Sequence, residues 1–296
     1  FKSHLQLMRY FKGKTTLYFR GDSTLLDDAP GFSIKKSLRR ILLQWVYRHV
    51  DFALSPGTAS DAYFLNAGLS ANQIIRAPHA VDNARFSGAE TPDMHSSYDE
   101  SAQNWRKELS ISEDTKVFLF AGKFEPKKDP ILLVKAFVRL HQQYPNTHLI
   151  IVGNGILEES LKQYSSTPQP SAGKFNSSTP ITFLPFQNQS IMPVVYRLGD
   201  VFVLPSKGPG ETWGLAINEA MACGKPVIVS DKCGASADMV KDNENGFVFK
   251  AGDENDLYNC MEKMVLADTS SMGAKALETV QRFSYASFTS ALQSLN

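Results

Sequence analysis

Between residues 116 and 268, short and continuously apolar runs alternate with stretches of helical spacing, and this alternation restricts the fold more than any other feature of the chain. The runs fall at 117–121, 148–152, 181–184, 201–204, 226–229 and 247–249, with helical patterns in most of the intervals. Strands that are apolar on both faces and separated by helices belong in a parallel sheet covered on both sides. The expected domain is α/β and doubly wound, and such domains receive ligands beyond the carboxyl ends of their strands.

The flanking parts carry a weaker rhythm. Residues 1–86 hold a shorter α/β pattern with three candidate strands, near 16–19, 52–54 and 74–76. Three strands bury little core, so we expect a domain whose first strands are absent from this chain. The chain begins at Phe1, with no signal-peptide pattern after it. Residues 87–115 read as a linker, 165–180 as a Ser- and Pro-rich surface loop, and 269–296 as helical with a break near Phe283. Composition excludes several classes. With 43% hydrophobic and 21% charged residues the chain is not largely disordered. Its 31 Lys and Arg against 30 Asp and Glu leave no overall basic field, and no nucleic-acid partner is expected. No apolar run reaches the roughly 18 residues of a spanning helix. Cys223, Cys233 and Cys260 fit neither a disulfide framework nor a zinc cluster, and suit a reducing compartment.

Candidate chemistry gathers at strand ends. After the run at 201–204 the chain reads PSKGPGETWGL, with Gly208, Gly210 and Gly214 ahead of a helical pattern. Glycines let backbone N–H groups approach an anion, and a helix N-terminus favours phosphate oxygens. The same residues also punctuate any strand-to-helix turn. Glu211 and Glu219 lie eight residues apart, about two helical turns, and sugar or ribose hydroxyls are natural partners for both. After the run at 117–121, Gly122-Lys123-Phe124-Glu125-Pro126-Lys127-Lys128 offers three lysines to a diphosphate, or is a solvated basic loop. Gly153-Asn154-Gly155 repeats the strand-glycine-helix theme without the dinucleotide fingerprint. No acidic or histidine cluster has metal-ligand spacing, and neither a metal nor a cofactor is expected.

The order GKFEPKKDP, LIIVGNG and VFVLPSKGPGETWGLAINEAMACGKPVIVSDKCG resembles the donor-binding domain of the retaining family 4 glycosyltransferases, which have the GT-B fold. The resemblance covers about 115–265, with a looser match in IIRAPHAVDNARF and FSYASF. It implies two Rossmann-like domains: a partial acceptor-side domain over 1–86 and a nucleotide-sugar domain over 116–268. Residues 269–296 would return to the first domain. It places Glu211 on the hydroxyls of the donor sugar and Glu219 on the ribose diol. The amides of Thr212, Trp213, Gly214 and Leu215, after Gly210, would hold the diphosphate, and Phe186 and Gln187 the base. Gly122, Gly153 and Asn154 would line the donor site. Two phosphate-binding cations are implied at Lys123 and Lys128. The family has Arg at the first, so the planar bidentate grip is lost there. The expected glycine loop of the first domain is missing from this chain. Where a reaction-facing His is expected, the sequence reads Phe19-Arg20-Gly21-Asp22-Ser23, which makes Arg20 and Asp22 candidates; a plain turn and helix cap is the other reading.

The implied function is metal-independent transfer of a hexosyl group, with retention, from a UDP or GDP sugar to a glycan or lipid-linked acceptor, in polysaccharide or lipopolysaccharide synthesis. Two alternatives stand beside it: an epimerase or phosphorylase of the same fold, and a nucleotide-sugar-binding fragment without turnover. A cytoplasmic location, peripheral at the inner membrane face, goes with the lipid-linked acceptor. The pattern at 34–49 sets Lys35, Lys36, Arg39, Arg40 and Arg48 opposite Ile34, Leu38, Ile41, Leu42, Trp45 and Val46. The apolar stripe is expected to face the core. The basic side is then either a solvated face or a contact with anionic membrane. His79 is read as a structural residue of the crossover.

Overall fold

A computed structural model describes residues 2–28, 33–91, 93–166 and 180–295. The chain forms two compact units, one of Phe1–Ala80 with Arg282–Asn296 and one of Val81–Gln281. From 167 to 179, the stretch read as a surface loop lies outside the described residues.

In the first unit three strands, β1 (Tyr18–Arg20), β2 (Phe52–Ser55) and β3 (Ile74–Arg76), pair in parallel in the order β1-β2-β3. The helices Lys2–Phe11, Ile34–Tyr47, Thr58–Asn66 and Tyr285–Gln293 belong to this unit. Its core is small and aromatic. Tyr47, Val50, Ala53, Tyr63, Phe64, Ala67 and Leu69 are buried, with Met8, Phe19, Leu43 and Ile74 packed against them.

The helix Ile34–Tyr47 does not bury the expected stripe. Leu43 and Tyr47 face the core, whereas Ile34, Leu38, Ile41 and Leu42 are 71%, 63%, 63% and 58% exposed. The helix carries apolar residues on two faces, and the aromatic one wins. Tyr47 meets Phe19, Phe64 and Tyr63 edge to face at centroid distances of 5.3, 5.7 and 6.3 Å. Such ring pairs add to area burial, and aliphatic side chains do not supply them.

The second unit is built on β4 (Lys116–Ala121), β5 (Thr147–Val152), β6 (Ile181–Leu184), β7 (Val201–Leu204), β8 (Val227–Ser230) and β9 (Gly246–Phe249). All pairings are parallel and the order is β6-β5-β4-β7-β8-β9. The chain winds outward from β4 in one direction and from β7 in the other, so the switch point lies between them. Leu133, Phe137 and Leu140 of the helix Pro130–Gln143, with Leu257, Met261 and Met264 of the helix Glu254–Leu266, bury the sheet's apolar side chains.

The segment read as a linker, 87–115, instead contains the helix Met94–Glu108, which packs against the helix Met192–Leu198. A buried arginine holds the joint. Arg197 donates to Asp99 Oδ1 at 2.8 Å, to the carbonyls of Phe86 and Pro193 at 2.9 and 2.8 Å, and to that of Ser87 at 3.0 Å. Nothing in the polar sequence of this segment announces a partner more than ninety residues away. The helix Thr269–Val280 packs on the helix Leu215–Ala222, and the chain then turns at Gln281–Phe283 into the last helix.

One residue of the sheet makes stability depend on acid. His148 of β5 lies 2.8 Å from Thr182 Oγ1 of β6, and burial first, then Arg106, pulls its pKa down to about 4. The native state keeps this imidazole neutral while an unfolded chain protonates it below about 6.5. Stability therefore falls as pH drops from about 6.5 towards 4. Urea unfolding should show this loss in the native sequence and a shallower one in His148→Gln; equal slopes would reject the assignment.

Candidate nucleotide-sugar site

Because every strand of the second unit runs the same way, the segments that follow them share one edge of the sheet. They are 122–129 after β4, 153–155 after β5, 185–189 after β6, 205–214 after β7 and 231–235 after β8. Of the sequence-derived candidates in this unit, all but Glu219 stand on these segments or open the helix that follows. Glu219 lies one turn further, on the helix Leu215–Ala222.

The loops on either side of the switch point are joined. Lys207 N donates to Lys127 O at 2.9 Å, and Lys207 Nζ lies 3.1 Å from Asp129 Oδ2. Between them Lys128 pairs with Glu211 through Oε2, which also accepts from Ser206 Oγ at 3.0 Å. Ser206 is fully buried, and its carbonyl accepts from Ser230 Oγ. Glu211 is itself buried, so its charge is tolerable only with such partners.

Glycine shapes the rest of the loop. Gly214 opens the helix with φ +95°, and a Cβ there would stand 2.6 Å from Cys233 Sγ. Cys233 Sγ and the amide of Ala235 both approach Trp213 O, at 2.7 and 3.0 Å, so that carbonyl is turned towards the loop after β8. The Trp213 side chain is buried, with Nε1 donating to Asn218 Oδ1 at 2.8 Å. Burial pushes the Cys233 thiol up to about 12, with Glu211 adding to the effect, which keeps a proton on sulfur at neutral pH.

Glu219 is anchored differently. Tyr196 Oη donates to Oε2 at 2.7 Å and Gln189 Nε2 to Oε1 at 2.8 Å. Tyr196 is buried, and burial together with Glu219 holds its hydroxyl well above the usual phenol range. Tyr196, Gln189 and Ser206 carry no motif, and each lies 5 to 30 residues from the glutamate it supports.

The remaining candidates in this unit fall on the same edge with looser contacts. Lys123 is largely exposed and lies 3.9 Å from Glu125, as does Lys127. Gly122 and Gly153 interlock: Gly153 has φ +142°, and a Cβ there would sit 2.0 Å from Gly122 O. Asn154 and Phe186 are exposed, and Gln187 donates to Pro185 O at 3.1 Å. Leu215, at the helix start, is exposed.

Arg20 and Asp22 belong to the first unit. Arg20 donates to Ala77 O at 3.3 Å and lies 3.4 Å from His79 Nδ1, with its guanidinium 4.6 Å from the centroid of Phe288. Asp22 Oδ2 is 3.8 Å from His79 Nε2. Burial, then Arg20, lowers the His79 pKa while Asp22 opposes them. The residue read as purely structural thus joins the two candidates in one cluster. Among the described residues no group of three or more His, Cys, Asp and Glu is arranged to hold a metal ion.

Two parallel α/β sheets, the larger with anion-suited loops at its switch point, define the class: the fold is that of the GT-B glycosyltransferases. It is shared with the Anabaena protein HepE solved in complex with UDP, at 20% identity and TM-score 0.76 over 99% of this chain and 76% of that one. Sucrose-phosphate synthase from Thermosynechococcus elongatus matches at 22% identity and TM-score 0.69, over 94% and 66%. Residues 101–281 match the family model described as glycosyl transferases group 1, and the chain belongs to that family. Among curated relatives, the D-inositol 3-phosphate glycosyltransferases of Saccharomonospora viridis and Corynebacterium jeikeium are each 28% identical, over 79% and 90% of this chain and 54% and 62% of theirs. The chain spans about half the length of the curated relatives it matches.

The ion pair at the switch point has a measurable signature. Lys128→Met leaves the Glu211 carboxylate buried with Ser206 as its remaining partner and should cost about 3 kcal/mol in urea unfolding. Glu211→Gln, whose amide still reaches Ser206, should cost less. The reverse order would show that the pair is not held in a low-dielectric site.

Proposed function

We propose that this chain binds the donor and carries out transfer in a retaining glycosyltransferase, moving a hexosyl group from a UDP or GDP sugar to a glycan or lipid-linked acceptor. One observation carries the reading. At the switch point a cation, Lys128, and a buried carboxylate, Glu211, are locked together beside a glycine loop and a helix N-terminus, with a second anchored carboxylate, Glu219, one turn into that helix. Two relatives named as glycosyltransferases and a neighbour solved with UDP support it.

In this reading Glu211 accepts from hydroxyls of the donor sugar and Glu219 from the ribose diol. Thr212, Trp213, Gly214 and Leu215 meet the diphosphate through their amides, beside Gly210. Phe186 and Gln187 flank the base, and Gly122, Gly153 and Asn154 line the donor site. The bond between the anomeric carbon and the diphosphate oxygen breaks, its electron pair leaves with the diphosphate, the acceptor oxygen bonds to the same face, and the acceptor's proton passes to the departing diphosphate. The transition state is oxocarbenium-like, and the growing negative charge falls on the leaving group. Lys128, Lys123 and the helix end supply positive charge there, a preorganised donor contributing about 3 kcal/mol. This is work that a divalent ion would otherwise do, so transfer proceeds without one. In the first unit Arg20 and Asp22, joined by His79, are the reaction-facing groups.

Calorimetry with UDP and GDP tests the reading. One nucleotide should bind, and Glu219→Ala should weaken it by at least about tenfold, the scale of a hydrogen bond to a charged group. Tyr196→Phe should weaken it less and reduce the preference for the nucleotide over its 2′-deoxy form. That readout separates positioning of Glu219 from general loss of stability. Binding of neither nucleotide would overturn the reading, and an inverted product anomer would overturn retention.

A further inference from the structure

We propose that the outward face of the helix Ile34–Tyr47 docks on an anionic lipid bilayer, with its aliphatic side chains in the interface and its basic flanks on the headgroups. The face is defined by spacing and exposure together. Ile34, Leu38 and Ile41 recur at four and three residues, Leu42 lies beside them, and all four are exposed while Leu43 and Tyr47 hold the opposite side in the core. Four large aliphatic residues exposed on the outer surface of a helix whose inner surface is packed form an interaction face.

Charge selects the occupant. Residues 34–50 contain Lys35, Lys36, Arg39, Arg40 and Arg48 and no Asp or Glu. Lys35 and Arg39 follow one flank of the aliphatic stripe, and Arg48 stands past its end. The asymmetry extends over the first unit. Residues 1–48 hold ten Lys and Arg against three Asp and no Glu, while the other 248 residues carry six more acidic than basic groups. A chain with a net charge of +1 has therefore collected its positive charge in the segment that carries this face. The helix Lys2–Phe11 repeats the composition, with Leu7, Tyr10 and Phe11 exposed and Lys2 and Arg9 its only charged residues. An aliphatic face bordered by cations is the pattern of an interfacial helix, where apolar insertion and attraction to anionic lipid act together. Among the described residues no helix is long and apolar enough to cross a membrane, so the attachment is to the surface. The aliphatic stripe leads this contact, which reverses the orientation read from the sequence.

The test is sedimentation of the whole chain with vesicles of phosphatidylcholine alone or with added phosphatidylglycerol. Three forms are compared: the native chain, Leu38→Ser/Ile41→Ser and Lys35→Glu. These positions are exposed, so the fold should persist, and circular dichroism checks that it does. The native chain should partition onto the anionic vesicles and not the neutral ones. The serine variant should bind at least about tenfold more weakly, and the charge variant should lose affinity most at low salt. Absence of binding, or equal binding by native and serine forms, overturns the proposal. So does a native dimer that the serine variant dissociates without lipid, which would assign the face to a second copy. None of these readouts involves a nucleotide, so the donor-site reading stands or falls separately.

Discussion

The parallel pairing of β4 with β7, with Phe118 opposite Val201 and Leu119 opposite Phe202, is the constraint on which the second unit depends. These strands are about eighty residues apart in the chain and adjacent in the sheet, and the winding reverses between them. Their adjacency brings the lysine loop after β4 against the glycine loop after β7. The main-chain bond from Lys207 to Lys127 then leaves Lys128 and Glu211 facing each other. A carboxylate as buried as Glu211 needs a counter-charge and a hydrogen-bond donor, and both come from these neighbouring segments. The chemistry of the site is thus a consequence of strand order.

The two glutamates of the same motif are held by opposite means. Glu211 is balanced by the Lys128 cation and the Ser206 hydroxyl. Glu219 is fixed by the neutral donors Tyr196 and Gln189. A carboxylate has about four acceptor positions, so two donors orient it while leaving capacity for hydroxyls. Tyr196 is buried, and its hydroxyl keeps its proton at neutral pH. Gln189 stands on an exposed loop, where an incoming hydroxyl can replace it. In the proposed function, orientation from inside and exchange from outside would suit a group that meets the ribose diol.

The first unit is organised by economy of core. Its three short strands bury a few aromatic rings and little else, and the helix Ile34–Tyr47 is turned to serve those rings. That choice leaves the aliphatic stripe outside and the basic residues around it. The cluster of Arg20, His79 and Asp22 comes from the same topology, since the end of β1 and the segment after β3 flank β2 on one edge of the sheet.

Much of this was legible in the chain alone, and for identifiable reasons. Continuous apolar runs leave a strand no solvent-facing side, so the doubly wound sheet of the second unit follows from pattern. Glycines, lysines and glutamates at strand ends fall where a parallel sheet gathers them, so Lys128, Glu211 and the 205–214 loop could be named before their contacts were known. Pairings between distant segments were not legible. Arg197 with Asp99, Tyr196 with Glu219 and Arg20 with His79 join residues 23 to 98 positions apart, and a tyrosine or histidine has the same local appearance whether or not it has such a partner. The helix Ile34–Tyr47 shows the limit most clearly. Its sequence determined that it would be amphipathic and basic, but it has apolar residues on two faces. Only the packing of Tyr47 among the rings of Phe19, Tyr63 and Phe64 decided which of them would meet the core and which would meet the outside.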